Sequence, residues 1–161
     1  MSGKGIGSIA FTGTPELIAA IDKLSVAVRK RVARKAVSMA LVPLNKAAKR
    51  NCPKETGLLK KSLGKRIKTY RKGTLWGGVG PRTQIVGVGP DGRKRWPAAY
   101  AQIVESGTAP HGNHPGTAPR PFLRTAFEQT KGEMQRIAEN KVRIELENEA
   151  RKAASQAGVR H

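Results

Sequence analysis

The sequence predicts an α+β fold: a small antiparallel β-sheet packed against a long N-terminal helix and a long C-terminal helix, with a short helix and a Pro/Gly-rich loop between them. Three observations carry this reading. Leu17, Ile21, Leu24, Val28, Val32, Ala36 and Met39 recur at spacings of three and four, which places them on one side of a helix. Residues 65–90 hold strand-like residues interrupted by frequent glycine, the pattern of short strands joined by turns. Beyond Pro121, Phe122, Ala126, Ile137, Ile144 and Leu146 supply the apolar side of a second long helix.

Each element follows from its local signals. "GIGSIAFT" (residues 5–12) reads as a short strand. Thr14, Pro15 and Glu16 form a helix start: a hydroxyl N-cap, proline at the first helical position and an acid in the first turn. Pro43 is expected to kink or end that helix, with "LNKAAKRN" continuing it to about Asn51. "CPKETGLLKKSL" is punctuated by Pro53 and Gly57. The β block predicts a hairpin or a three-stranded meander, with turns near Lys72-Gly73 and Gly80-Pro81 and a further turn at Asp91-Gly92. Tyr100–Ser106 reads as a short helix stopped by Gly107. A Pro/Gly/His-rich loop follows over 108–119, then a helix from Pro121 to about Ala154 and a frayed tail over 155–161. The whole is expected to be one domain over residues 1–161: a helix and strand block at 14–90, the short helix and loop at 98–120, and the C-terminal helix at 121–154.

Composition narrows the function. Apolar residues are 38% and aromatics 4% of the 161 residues, so the core must be thin and built from Val, Ile, Leu and Ala. The formal net charge is +20, an imbalance that suggests a polyanionic partner, nucleic acid first or an acidic protein. One cysteine excludes an intrachain disulfide and fits a reducing compartment. The start of the sequence lacks a signal-peptide core, and no apolar run approaches the roughly 20 residues that span a bilayer. The expectation is a soluble protein, intracellular when made, without a membrane partner or a cofactor.

The charge is concentrated. Between Arg29 and Lys72 there are 16 basic residues and one acid, Glu55, whereas Glu128–Glu149 holds six acids against four bases. Arg29, Lys30, Arg31 and Arg34, with Lys60, Lys61, Lys65 and Arg66, are the candidate contacts for DNA or an acidic partner. Lys and Arg bind phosphate without reading sequence; the bland alternative is a solvated face. Tyr70 and Trp76 could stack on bases or belong to the core. In a symmetric assembly, the basic and acidic faces could meet between neighbours.

Catalytic and metal signals are weak. His111 and His114 in "HGNH" have no second ligand pair, and zinc wants three or four ligands, so they read as loop histidines. Cys52 has lysines nearby that could lower its pKa, but no nucleophile signature surrounds it, and a half-buried structural cysteine fits better. "GGVGP" and "GVGPDG" match no phosphate-binding loop. Glu55, Asp91 and Glu105 are the acids between the long helices and form no acid-rich motif.

Two further motifs carry a resemblance. Tyr100-Ala101, Val104-Glu105-Ser106-Gly107-Thr108 and Pro121-Phe122-Leu123-Arg124-Thr125-Ala126 lie in that order. Upstream stand Pro53, Thr56-Gly57, Leu59 and Ser62. Together they resemble the gene-product-ten-like family of long-tailed bacteriophage proteins, the tail-completion, head–tail joining, neck or minor tail proteins. The resemblance covers nearly the whole chain. It departs from the family at Ser106, often aromatic there, at Thr125, where proline is common, and in a long loop from Ala109 to Pro119. The resemblance implies a structural virion protein and no catalysis: a homo-oligomeric ring matching the sixfold tail, seated at the neck and joining the tail tube and its terminator to the head connector. The family-motif positions Thr56, Gly57, Tyr100, Glu105, Gly107, Thr108, Pro121, Phe122 and Arg124 would then serve structure and assembly. Glu105 and Arg124 are expected to hold the intervening loop, by charge or by capping backbone donors. The alternatives are a basic nucleic-acid-binding protein outside virions and a hydrolase using Cys52 or His111.

Overall fold

The computed structural model describes residues 15–22, 24–54, 57–70 and 74–158. The expected strand at 5–12, the Thr14 cap, the Lys72-Gly73 turn, Glu55, Thr56 and His161 lie outside the described residues.

The architecture is α+β. In chain order the elements are α1 (Pro15–Asp22), α2 (Val26–Asn51), α3 (Leu58–Ser62), β1 (Leu63–Thr69), β2 (Leu75–Pro81), β3 (Gly87–Val88), β4 (Lys94–Arg95), α4 (Pro97–Ser106) and α5 (Phe122–Gly158). The principal packing surface lies between α2 and α5, with β1 and β2 laid across α2.

The N-terminal helix differs from the expectation by being two. The apolar spacing runs unbroken through Leu24 and Val28, but Ser25 is extended (φ −62°, ψ 152°) and its hydroxyl accepts from the Val28 N–H. A serine that satisfies an orphan first-turn donor starts a new helix. Pro43 does not end that helix; it sits inside α2. The N–H that proline lacks would have met the carbonyl of Met39, and Met39 is half-exposed, on the side of the helix open to water. Met39 therefore lies off the core face that Val32 and Ala36 occupy.

The core joins Ala40, Leu41, Leu44, Ala47 and Ala48 of α2 to Ala126, Met134 and Ala138 of α5. Alanine on both helices permits close approach, since interaxial distance follows the side chains at the contact. Leu59, Leu63, Ala101 and Phe122 close the end of the core where α3, β1 and α4 arrive.

β1 and β2 pair antiparallel in the register Leu63↔Pro81 through Thr69↔Leu75. This is the hairpin reading, not the three-stranded meander: β3 and β4 form a separate two-stranded sheet around the Asp91-Gly92 turn. Pro81 closes β2, and the turn expected near Gly80-Pro81 falls just beyond it, at Thr83-Gln84. A side chain on Gly77 would overlap Val37 of α2, so this glycine lets the strand lie directly on the helix. The C-terminal helix continues past Ala154 to Gly158.

Candidate assembly site

Proline at its first position starts α4, and Gly107 (φ +69°, ψ −178°) ends it, donating its N–H to the Ile103 carbonyl. A Cβ at Gly107 would meet Thr117 O at 2.5 Å, so both backbone angle and space demand glycine there. Two residues earlier, Glu105 is 6% exposed. Its carboxylate accepts from the backbone N–H of Leu123 and of Arg124, each at 2.8 Å. These are orphan donors in the first turn of α5. Glu105 is thus a cap supplied from another helix, with its charge at the positive end of the helix dipole. The Arg120 N–H, donating to Val104 O at 2.8 Å, adds a third tie. Phe122, the first residue of α5, is 2% exposed and anchors that turn in the core.

The expected pairing of Glu105 with Arg124 is therefore made by the arginine backbone. The Arg124 side chain is exposed and, among the described residues, forms no ion pair with Glu105. Pro121 is exposed and its carbonyl accepts from Thr125. Tyr100 is half-buried against the core. Gly57 takes the left-handed conformation (φ +65°) at the start of α3.

The segment between α4 and α5 is an ordered hairpin arm. Thr108 and Thr117 exchange both backbone hydrogen bonds, and so do His111 and His114. Gly112 has φ +54° and Asn113 a negative φ, the pattern of a II′ turn. Apart from Gly107 and Gly116 at its base, the arm is exposed along its length. His114 Nδ1 accepts from the Gly116 N–H, so this histidine shapes the turn. No cluster of three or more metal-ligating side chains occurs among the described residues.

The cations divide into two sets. Arg29 donates to Asp22 and to the carbonyls of Asp22 and Leu24. Arg31 pairs with Glu149 at 2.7 Å and Lys35 with Glu145 at 2.7 Å. Lys65 donates to Ser38 O. Lys30, Arg34, Lys60, Lys61 and Arg66 are exposed. The acidic stripe of α5 thus meets the basic helix α2 within one chain, a contact the sequence left for neighbouring copies.

Glu145 is 4% exposed and its pKa is lowered to about 2, chiefly by the hydrogen bond from Lys141, then by that from Lys35. The Glu149 carboxyl is also lowered, first by Lys152 and then, against desolvation, by Arg31. A depressed carboxyl stabilises the fold above its unfolded value and loses that contribution as pH falls through the folded one. Between about pH 4.5 and about 2 the Glu145 contribution should disappear. With Lys35 half-exposed to solvent, we expect about 1–2 kcal/mol. Glu145→Gln should flatten the acid limb of a stability–pH curve over that window; an unchanged curve would show that the cluster is neutral to folding.

Cys52 is 3% exposed. Burial pushes its thiol up, and the nearby Lys60 opposes this less strongly. The environment disfavours the thiolate nucleophile. A thiol reagent should label Cys52 slowly in the native protein and fast in denaturant; fast native labelling would contradict its burial.

Comparison with known families decides the family question. The model described as "Bacteriophage HK97-gp10, putative tail-component" matches residues 15–107, more than half of the chain. The chain belongs to the HK97-gp10-like family. It is accordingly a structural phage tail protein and a virion component. The match runs from α1 to the glycine that ends α4, so the HK97-gp10-like segment ends where the hairpin arm begins. Searches of curated proteins and of solved structures gave no match. Among the described residues no helix is long and apolar enough to cross a membrane.

Sequence reasoning missed Lys68 and Arg82, which share the outer face of the β1–β2 hairpin with Arg66. The signal was present: Arg66 and Lys68 are two apart in a strand and so point the same way. It also missed the hairpin in the arm, signalled by Gly112-Asn113.

Proposed function

We propose that this HK97-gp10-like protein forms a ring at the head–tail junction, joining the tail tube to the head connector, with sixfold symmetry to match the tail. The observation that carries this reading is the exposed arm, whose direction is set by the Glu105 cap at the end of the family-matching segment. A closed ring needs each subunit to offer two different faces, and a rigidly based arm supplies one of them. Neighbouring tail and connector proteins are the other partners, and exposed cations meet the genome end or acidic neighbours. The module acts by position and shape, without catalysis or cofactor. Electron microscopy of intact particles tests this: density for the subunit as a ring at the neck is expected, and density elsewhere in the tail, or none in the virion, overturns it.

A further inference from the structure

We propose that the outer face of the β1–β2 hairpin is a contact surface for single-stranded nucleic acid, with phosphates held by Arg66, Lys68 and Arg82 and bases stacked on Trp76. This deepens the genome contact of the proposed function and rests on that part alone, not on the ring.

The register defines the face. Gly64↔Gly80, Arg66↔Gly78 and Lys68↔Trp76 are cross-strand pairs of one parity, and such residues share one side of a sheet. The other parity, with Ile67, Val79 and Gly77, packs on α2. Arg66, Lys68 and Trp76 therefore stand on the side away from the core. The glycines make a flat floor. A side chain on Gly64 would overlap the Arg82 guanidinium, and one on Gly78 would come within 2.8 Å of the Trp76 indole. The missing side chains let arginine and tryptophan lie across the strands, around a shallow groove of about 190 Å³.

No acid lines this groove, and among the described residues no carboxylate pairs with Arg66, Lys68 or Arg82. By contrast, Arg29, Arg31 and Lys35 on α2 are already engaged with Asp22, Glu149 and Glu145. The hairpin therefore offers cations that folding has not used.

Charge complementarity selects the occupant. Within each copy Glu145 and Glu149 are already paired with α2, so a second copy has little acid to offer this face. An external polyanion is required, and the aromatics choose its class. Trp76 is 48% and Tyr70 46% exposed, which removes the core reading of both. Lys68 Nζ lies 5.0 Å from the Tyr70 ring centre. Exposed rings interleaved with cations suit unpaired bases, which stack on them while phosphates meet the charges; an acidic polypeptide competing equally is the outcome that would assign the face to a protein.

The test is binding of the purified full chain to a labelled single strand of about 16 nucleotides, measured against salt. The double variant Arg66→Ala/Arg82→Ala should lower the salt slope by about 1.4, two phosphate contacts at about 0.7 each. Trp76→Ala should weaken binding about tenfold with the slope unchanged. The double variant Lys30→Ala/Arg34→Ala removes equal charge from α2 and should change the slope less. Thermal melting of each variant excludes loss of fold as the cause. Equal losses from the two double variants, a silent Trp76→Ala, or equal competition by polyglutamate or by duplex DNA would each overturn the proposal. Oligomer size, measured on the same samples, reports separately on the ring.

Discussion

Replacing Glu105 with alanine should lower stability by about 3 kcal/mol, and the melting temperature by roughly 6–12 °C for a chain of this size. The carboxylate is buried and spends both oxygens on backbone donors of α5. Alanine leaves the Leu123 and Arg124 N–H groups without acceptors in a site that water reaches poorly, and an unmet buried donor costs more than its bond contributes. Glu105→Gln keeps one acceptor oxygen and should lose about half as much. Arg124→Ala should stay within about 0.5 kcal/mol, because only its backbone is used. Thermal melts of the three variants give the ranking. Assembly should follow it, since the same junction aims the arm. If Glu105→Ala melts with the wild type, the cap is ornamental and the arm is aimed by something else.

That contrast between Glu105 and Arg124 shows how far the residues could be read unaided. The spacing of two motifs predicted that something bridges Glu105 and the start of α5, and the acid followed by Gly107 marked where. What spacing cannot do is choose between the two expected modes, charge and the capping of backbone donors, of which the structure has the second. The same limit hid the break at Ser25. The apolar period continues across it, and the break is held by local side-chain-to-backbone hydrogen bonds, from the Val28 N–H to the Ser25 hydroxyl and from Arg29 to the Asp22 and Leu24 carbonyls. Pro43 lies inside α2, which continues through "LNKAAKRN" to Asn51 as expected. β3 and β4 are two residues each, too short for any alternation to show. The long helices were legible because each repeats its period several times, and the β1–β2 strands through strand-forming residues punctuated by glycine; α3, five residues long, gave no signal. The pairing of α5 acids with α2 cations was visible as opposite charge but not as intramolecular, since charge patterns carry no information about which chain the partner is on.

Phe122→Ala should be the most damaging single change, at about 3–5 kcal/mol. The chain has few aromatics, and Tyr70, Trp76 and Trp96 are exposed. Among the described residues Phe122 is the one aromatic that is fully buried. It fills the place where α4, α5 and the end of α2 converge, beside small alanines that cannot collapse into a large void. Phe122→Leu keeps most of the volume and should recover more than half of the loss. The decisive measurement is the double variant with Glu105→Ala. Phe122 anchors the first turn of α5 from inside while Glu105 caps it from α4, so losing one already frees the turn that the other holds. Denaturant midpoints should show a combined loss smaller than the sum by about 1 kcal/mol or more. Strict additivity would mean that anchor and cap act on separate structures. The junction would then not behave as one rigid base, and the arm would lose the physical reason it has for projecting in a fixed direction toward a neighbour.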